Sequence, residues 1–238
     1  MTETETGDEL IDRRRKVPIR TKLLFAFGTL QEATVTAGGI TTMLFYNQVL
    51  GVSPALAGLA YLIVSIVDAV ADPVVGLWSD RFQSRWGRRH PFMFFSAFPI
   101  AIGFYFLYQP INGLSETGLV VWLVIFFAVV RLGQTFYLIP HDALGAELTN
   151  DYDDRTSIFG YNNVAEMILS MVTVAILYLL IFPTVEEGKN GLLNEAGYVV
   201  MAWTGSITIM FSVLLTTLST LDQVPYLRKV EKSQKFFS

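Results

Sequence analysis

Residues 61–91 read YLIVSIVDAVADPVVGLWSDRFQSRWGRRHP, a long apolar run that carries Asp68 and Asp72 and ends in a dense basic loop. Carboxylates are costly in hydrocarbon, so those inside membrane segments usually face the protein interior and mark the path of an ion or a proton. Basic loops are retained on the cytoplasmic side of a membrane. This stretch therefore indicates a membrane transporter that uses a cation as its energy source.

The composition is that of a membrane protein and excludes several other classes. Of the 238 residues, 52% are hydrophobic and 16% are charged, which is too apolar for an ordinary soluble domain. The sequence contains no cysteine, so disulfides, zinc–thiolate sites and thiol nucleophiles are excluded. It also contains no zinc triad, nucleophile elbow or phosphate-binding loop. We expect neither an enzyme nor a nucleic-acid-binding protein, and no metal site or cofactor other than a coupling cation.

The chain is predicted to cross the membrane six times. A membrane-spanning helix needs about 20 mostly apolar residues. Six segments meet this requirement, at residues 22–48, 54–79, 91–109, 118–146, 157–183 and 196–220. The predicted fold class is an all-α membrane protein. It consists of a polar tail (1–20), a six-helix bundle (21–220) and a polar C-terminal segment (221–238).

The basic residues predict the orientation of these spans. All lysines and arginines except Lys189 and Arg131 lie in or beside the tail, in the loops at 80–90 and 147–156, or in the C-terminal segment. By the positive-inside rule, these regions and both termini face the cytoplasm. We therefore expect a multi-pass protein of the cytoplasmic membrane.

Two motifs resemble those of a known transporter family. Residues 76–89 read GLWSDRFQSRWGRR, which looks like the signature of the loop between the second and third spans of the major facilitator superfamily. The preceding DAVADP, together with IPHDALGAELTNDYDDRTSIFGYNN at residues 139–163, resembles the glycoside–pentoside–hexuronide:cation symporters. Members of that family have twelve spans in two six-helix halves, with the substrate between the halves.

The resemblance implies that the chain is the N-terminal half of such a fold. Residues 221–238 look like the start of the family's central cytoplasmic loop. The partner is then a C-terminal six-helix half, either on the same polypeptide or from a separate gene. The alternative is a six-helix protein that pairs with a second copy of itself.

Asp68 and Asp72 are predicted to bind the coupling cation. One helical turn separates them, so they share a face of their helix. In the family that the motifs resemble, aspartates at these positions belong to the cation site, and Thr135 aligns with a threonine of that site. Leu138 and Ala71 stand where a family member has oxygen-bearing side chains. Because Na⁺ needs several oxygen ligands and a proton needs one carboxylate, we expect H⁺ as the coupling ion rather than Na⁺.

Four polar residues within the spans are candidates for the substrate cavity, namely Arg131, Glu32, Glu166 and Asn163. Polar side chains on different spans that face one cavity suit a hydroxyl-rich substrate such as a sugar. Arg131 can bind an anionic substrate such as a hexuronate, or it can neutralise Asp68 or Asp72 as part of the scaffold. Each glutamate can contact the substrate or a proton, or can make a hydrogen bond between helices.

The basic loop is a candidate cytoplasmic gate. Its motif consists of Gly76, Asp80, Arg81, Arg85, Gly87, Arg88 and Arg89. The resemblance implies that charge pairs in this motif hold the two halves together and break during transport. Glu147 and Arg155 can join the same network. The plain alternative is that the arginines only keep the loop in the cytoplasm.

Together these features predict a secondary transporter that couples the movement of a sugar or glycoside to a cation. Its expected partners are that small molecule and the lipid bilayer. Two alternatives remain on fold-level analogy. One is a lipid or lysolipid carrier of the same fold, and the other is a truncated half without transport activity of its own.

Overall fold

The computed structural model describes residues 16–82, 84–183 and 191–227, and within these ranges all regular secondary structure is helical. The α-helices of this part of the chain are α1 Ile19–Ala26, α2 Thr29–Leu44, α3 Pro54–Arg81, α4 His90–Leu107, α5 Glu116–Glu147, α6 Tyr152–Ile176 and α7 Glu195–Ser219. Single π-helical turns extend α2 and α6, at Phe45–Val49 and Leu177–Ile181. Short 3₁₀ turns lie at Gly191–Leu193 and Leu221–Tyr226. The predicted all-α fold class is therefore confirmed.

Five helices of the described chain are long and apolar enough to cross a membrane: Pro54–Arg81, His90–Leu107, Glu116–Glu147, Tyr152–Ile181 and Glu195–Pro225. They correspond to the second to sixth predicted spans. The first predicted span, 22–48, is not one helix, because it is divided between the 8-residue α1 and the 16-residue α2. A sixth crossing therefore stays a prediction.

The predicted flanking regions are only partly described by the structure. Residues 1–15 of the tail and 228–238 of the C-terminal segment lie outside the described residues, as does Lys189. The segment that follows α7 begins with the 3₁₀ turn Leu221–Tyr226.

The starts of the helices follow ordinary capping chemistry. Pro54 occupies the first turn of α3, where its missing N–H leaves no helical bond unmade. The side chains of Ser115, Asp151 and Asn194 accept hydrogen bonds from backbone N–H groups in the first turns of α5, α6 and α7. These caps satisfy donors that have no partner within a helix. The turn residues of the sequence therefore set the boundaries of the later spans.

The helices pack side by side in a defined series. Helix α5 contacts α3 on one flank and α4 on the other. Next, α4 packs on α7, α7 packs on α1 and α2, and these two pack on α6. As a result, α3 and α6 lie at the two ends of the series, and long apolar faces of both remain exposed.

The break between α1 and α2 is stabilised by side-chain hydrogen bonds. Four successive backbone carbonyls at the break accept these hydrogen bonds. The carbonyl of Leu24 accepts from Thr216 at 3.0 Å, and that of Phe25 accepts from His141 at 3.1 Å. The carbonyl of Ala26 accepts from Thr29 at 2.8 Å, and that of Phe27 accepts from Ser212 at 3.1 Å. Three of these donors come from α5 and α7. Because hydrocarbon offers no donors, a helix can be interrupted at membrane depth only where protein groups supply them.

Gly28 lets α5 and α7 come close to the break. A β-carbon on Gly28 would overlap the hydroxyl of Tyr137 and would lie 3.0 Å from both Nε2 of His141 and Cγ2 of Thr216. All three neighbours belong to α5 or α7, and the ring of His141 is itself stacked between Phe25 and Tyr137. The residue at position 28 must therefore be small if the carbonyls of the break are to keep their donors.

A buried ion pair fixes α1 against the start of α6. The ammonium of Lys22 lies 2.5 Å from Oδ1 of Asp154 and 2.5 Å from the hydroxyl of Ser157. The other carboxylate oxygen of Asp154 accepts a hydrogen bond from the N–H of Val17 at 2.8 Å. The sequence indicated Lys22 only as one of many basic residues near the tail, so this contact is an addition from the structure.

We predict that Gly28→Ala destabilises the bundle by about 1–3 kcal/mol, the usual cost of overpacking. The added methyl displaces Tyr137 and His141 and so weakens the hydrogen bonds at the break. The melting temperature of the detergent-purified protein measures this effect. Gly39→Ala is the matched control, because Gly39 lies on α2, which begins directly after Gly28, and a β-carbon there meets no atom within 4 Å. Equal melting temperatures for the two variants would contradict the role given to Gly28.

Candidate functional site

Arg131 and Asp68 form an ion pair that joins α5 to α3. The Nη2 atom of Arg131 contacts Oδ2 of Asp68, and its Nε donates to the same oxygen at 3.1 Å. The Asp68 side chain is 15% exposed, whereas that of Arg131 is 42% exposed. Of the two partners that the sequence left open for Arg131, the structure selects Asp68. The Nη1 atom of Arg131 lies 3.4 Å from Oε1 of Gln134, and the exposed part of the guanidinium remains open to a further partner.

Thr135 lies one turn after Arg131 on α5 and is hydrogen-bonded to the second aspartate. Its hydroxyl donates to Oδ1 of Asp72 at 2.9 Å, and Oδ1 of Asp68 lies 3.3 Å from the same hydroxyl oxygen. The spacing of the two aspartates on α3 therefore matches the spacing of Arg131 and Thr135 on α5. The three residues predicted to form a cation site lie together in the structure.

Asp72 differs from Asp68 in its charge balance. In the described part of the chain, Asp72 has no ion-pair partner, and the Thr135 hydroxyl is its side-chain donor. Its side chain is exposed on the open flank of α3. A carboxylate inside a membrane span without a cationic partner is a natural place for a proton or a metal cation. The oxygens near Thr135 are the two carboxylates and the carbonyl of Arg131, which lies 3.3 Å from its hydroxyl.

Charged side chains from α2, α5 and α6 act on one another across the bundle. Glu32 on α2 is half-buried and interacts electrostatically with Glu166 on α6. It also interacts with Asp142, His141 and Arg131 on α5. Two other predicted cavity residues, Glu166 and Arg131, are therefore close enough to Glu32 to influence its charge.

The amide side chains near these glutamates differ in burial and in hydrogen bonding. Asn163 on α6 is exposed, whereas its neighbour Asn162 is buried and its Oδ1 makes no hydrogen bond with the described residues. Gln31, next to Glu32, is fully buried, and neither atom of its amide group has a partner within the described chain. Buried polar groups are normally hydrogen-bonded, often to ordered water. These amides therefore mark polar positions in the interior of the described bundle.

The loop motif forms a charge cluster with the end of α5. Glu147 accepts from Arg88 at 2.8 Å and from Arg89 at 3.0 Å. The guanidinium of Arg89 also lies 2.8 Å from a carboxylate oxygen of Asp80 and donates to the hydroxyl of Ser79 at 3.1 Å. We call Asp80, Arg88, Arg89 and Glu147 the loop cluster. It connects the ends of α3, α4 and α5. It includes Glu147, which the sequence indicated as a residue that can join the network of the motif.

The other residues of the motif lie outside the loop cluster. Arg81 and Arg85 are exposed, and Arg155 donates instead to the carbonyl of Thr149 at 3.0 Å. Gly87 has a φ of +82°, a conformation that glycine adopts without strain. Gly76 is helical, and a β-carbon there would meet Ile139 of α5 at an ordinary distance of 3.9 Å. Within the described residues, the motif therefore contains ion-paired side chains, two exposed arginines and a glycine turn.

Comparison with known proteins identifies the family. The family described as MFS/sugar transport protein matches residues 25–236. An uncharacterized symporter of Synechocystis is 32% identical over 78% of this chain and 35% of its own length. The glucuronide carrier protein homolog of Escherichia coli is 28% identical over 74% of this chain and 37% of its own length. The sodium-dependent lysophosphatidylcholine symporter 1 of Xenopus tropicalis is 27% identical over 68% of this chain and 31% of its own length.

The chain therefore spans about a third of the length of these curated relatives. Two of these proteins are named as symporters and the third as a carrier homolog, which are transporters rather than enzymes. The family match covers nearly the whole sequence and includes both motifs that carry the resemblance. The protein is thus a multi-pass membrane protein of the MFS/sugar transport family, and it belongs to the glycoside–pentoside–hexuronide:cation symporters of the major facilitator superfamily.

Proposed function

We propose that this protein is part of a cation-coupled symporter for a sugar or glycoside, and that Asp68, Asp72 and Thr135 form its cation site. The observation that carries the proposal is the geometry of Asp72. Its carboxylate lies in a membrane span, accepts a hydrogen bond from Thr135 at 2.9 Å, and stands beside an aspartate that Arg131 already neutralises. The cation that binds there compensates a charge that the described residues leave unbalanced.

We propose H⁺ rather than Na⁺ as the coupling ion. The Arg131 guanidinium lies against Asp68 and places a fixed positive charge beside the site. A metal cation would have to bind next to this charge with few oxygen ligands. A proton needs only one carboxylate oxygen of Asp72, and it removes the negative charge without further ligands. Protonation also lets Asp72 donate a hydrogen bond to Thr135.

We propose an anionic or hydroxyl-rich sugar derivative as the substrate. The open side of the Arg131 guanidinium suits a carboxylate such as that of a hexuronide, because arginine binds carboxylates in a planar, two-bond geometry. Glu32, Glu166 and Asn163 then supply acceptors and donors for hydroxyl groups from α2 and α6. The name of the Escherichia coli glucuronide carrier homolog supports this class of substrate.

The exposed faces of α3 and α6 support a fold with a second half. Asp72 on α3 and Asn163 on α6 are exposed, together with long apolar stretches of both helices. Polar groups at membrane depth require protein or a water-filled cavity around them. We propose that α1 and α2 together form a first span of a six-span N-terminal half. A C-terminal half, or a second copy, completes the cavity in the cytoplasmic membrane, with both ends of this chain on the cytoplasmic side.

In the proposed cycle, protonation of Asp72 and substrate binding favour one another across α3 and α5. The coupling is reciprocal. If the proton raises the affinity for the substrate, the substrate raises the affinity for the proton by the same factor. The loaded protein then rocks between outward-facing and inward-facing states around the fixed site. The loop cluster stabilises the state in which the ends of α3, α4 and α5 are held together.

A lysolipid substrate is the second candidate. The observation in its favour is the similarity to the sodium-dependent lysophosphatidylcholine symporter 1 of Xenopus tropicalis. The same Arg131 would then face the phosphate of the headgroup, and the exposed apolar face of α6 would lie beside the acyl chain. Competition of the two substrate classes for uptake distinguishes the candidates.

We predict that Asp72→Asn in the full-length protein abolishes concentrative uptake but preserves exchange of substrate across the membrane. The amide cannot take up a proton, so substrate movement is no longer linked to the cation gradient. Uptake and exchange of radiolabelled glucuronide in proteoliposomes measure the two activities. Asp153→Asn, which removes one carboxylate at the exposed start of α6, is the control and retains accumulation. Normal accumulation by Asp72→Asn would eliminate the proposed cation site.

Asp68→Asn is expected to behave differently. It leaves Arg131 without its carboxylate, which costs up to about 3–5 kcal/mol for a fully buried pair and less here, because Arg131 is 42% exposed. We expect a lower yield of folded protein, and the double variant Asp68→Asn, Arg131→Gln restores that yield. If Asp68→Asn is as stable as the parent protein, the ion pair has no structural role.

We predict that Glu147→Gln changes the balance of transport states. It removes the one carboxylate that pairs with both Arg88 and Arg89, a loss of about 1 kcal/mol for partly exposed pairs. That energy corresponds to about a fivefold change in the ratio of two states. We expect a slower initial rate of uptake with unchanged substrate affinity. Glu116→Gln, at the opposite end of α5, is the matched control, and equal rates for both variants would contradict a gating role.

A further inference from the structure

A deep apolar groove runs along the outer flank of the bundle between α3 and α4. Its cavity volume is about 480 Å³. Trp78 and Phe82 of α3 form one wall, Phe95 and Pro99 of α4 form the other, and Leu132 and Phe136 of α5 form the floor. This flank is separate from Asp68 and Arg131, which lie on the side where α3 and α5 carry their polar residues. The groove is therefore not part of the proposed transport site.

The shape and lining of the groove fit a hydrocarbon chain. Along α4 the lining runs from Pro91 to Pro99, a length of roughly 12 Å at the rise of an α-helix. Ser96 is the one lining residue with a hydroxyl group, no charged side chain contributes, and Trp78 and Phe95 are among the exposed aromatic side chains. In a bilayer such a surface is filled by lipid tails.

One end of the groove carries unpaired positive charge. The loop that joins α3 to α4 connects its two walls, so Arg81 and Arg85 lie at that end. Both side chains are exposed, and no carboxylate of the described chain lies within 4.0 Å of either guanidinium. Arg81 is three residues after Trp78 on α3, which places the two on neighbouring parts of one helix face.

A tryptophan of the same loop indicates the depth of this end in the membrane. Trp86 is exposed and makes an edge-to-face contact with Phe94 at 5.5 Å. Tryptophans are enriched at the level of the lipid headgroups. The basic loops predict that this level belongs to the cytoplasmic leaflet, which is rich in anionic lipids.

From these observations we infer a binding site for an anionic phospholipid, with an acyl chain in the groove and its phosphate beside Arg81 and Arg85. The inference explains why Arg81 and Arg85 make no ion pair within the loop cluster. Arg88 and Arg89 pair with Glu147, whereas Arg81 and Arg85 keep their charge for a ligand from the membrane. Because this loop also carries Arg88 and Arg89 of the loop cluster, a bound lipid links the composition of the membrane to the proposed gate.

A second groove offers an internal control. It lies between α4 and α7, has a cavity volume of about 500 Å³, and is lined by apolar residues that include Trp203 and Phe211. No charged side chain contributes to its lining. The two grooves are thus alike in size and apolar character, and each contains one tryptophan. They differ in the arginines at the end of the first.

Quenching of tryptophan fluorescence by brominated lipids tests the inference. The full-length protein is reconstituted in phosphatidylcholine bilayers that contain either brominated phosphatidylglycerol or brominated phosphatidylcholine. The signals of Trp78 and Trp203 are obtained by difference from the Trp78→Phe and Trp203→Phe variants. We expect phosphatidylglycerol to be preferred over phosphatidylcholine about thirtyfold at Trp78, because each of two interfacial arginines contributes about 1 kcal/mol, and we expect no preference at Trp203. The double variant Arg81→Gln, Arg85→Gln removes the preference.

Matched variants separate specific binding from general charge effects. Lys16→Gln, Arg20→Gln removes two exposed cations next to α1, which packs on α6 and α7 away from the groove, and should retain the preference. Arg81→Lys, Arg85→Lys keeps the charge and should retain most of it. Equal quenching of Trp78 by both lipids would overturn the inference, as would a preference that survives the glutamine substitutions. Absence of quenching by either lipid would mean that protein covers the groove, which also overturns it.

Discussion

The structure depends on one constraint, which is that hydrocarbon offers no partner to a charge or to a free backbone group. Arg131 can lie at membrane depth because Asp68 neutralises it from the adjacent helix. The break between α1 and α2 is possible because Thr216, His141 and Ser212 donate to its carbonyls. In each case a neighbouring helix supplies the missing partner, α3 for Arg131 and α5 or α7 for the break, so the same contacts that satisfy these groups also set how the helices pack.

This constraint also distinguishes Asp72, because its carboxylate has no cationic partner among the described residues. Asp68, one turn earlier on α3, is already balanced by arginine, and Thr135 contributes a neutral hydroxyl. In the mechanism that we propose, Asp72 is therefore the carboxylate whose charge a mobile cation balances. Asp72 is exposed, and Arg131, whose charge also acts on Glu32 of α2, lies one turn before its hydrogen-bond partner Thr135 on α5.

Much of this arrangement could be predicted from local sequence patterns. The spacing of Asp68 and Asp72 indicated a shared helix face, and the charges of the loop motif indicated contacts with Glu147. The break at Gly28 could not be predicted, since the apolar run continues through it and its donors come from distant α5 and α7. The same holds for the choice of Asp68 over Asp72 by Arg131, and for the pair between Lys22 and Asp154. Both depend on how two helices are aligned, which hydropathy and spacing do not specify.

The central claim is that a proton gradient drives accumulation of a sugar derivative through the site around Asp72. The most direct measurement follows glucuronide in proteoliposomes of the full-length protein, under a pH gradient alone or a Na⁺ gradient at constant pH. The account predicts concentrative uptake with the pH gradient and only equilibration with the Na⁺ gradient. Uptake driven by Na⁺ at constant pH would contradict H⁺ coupling, and equilibration under both gradients would contradict symport itself.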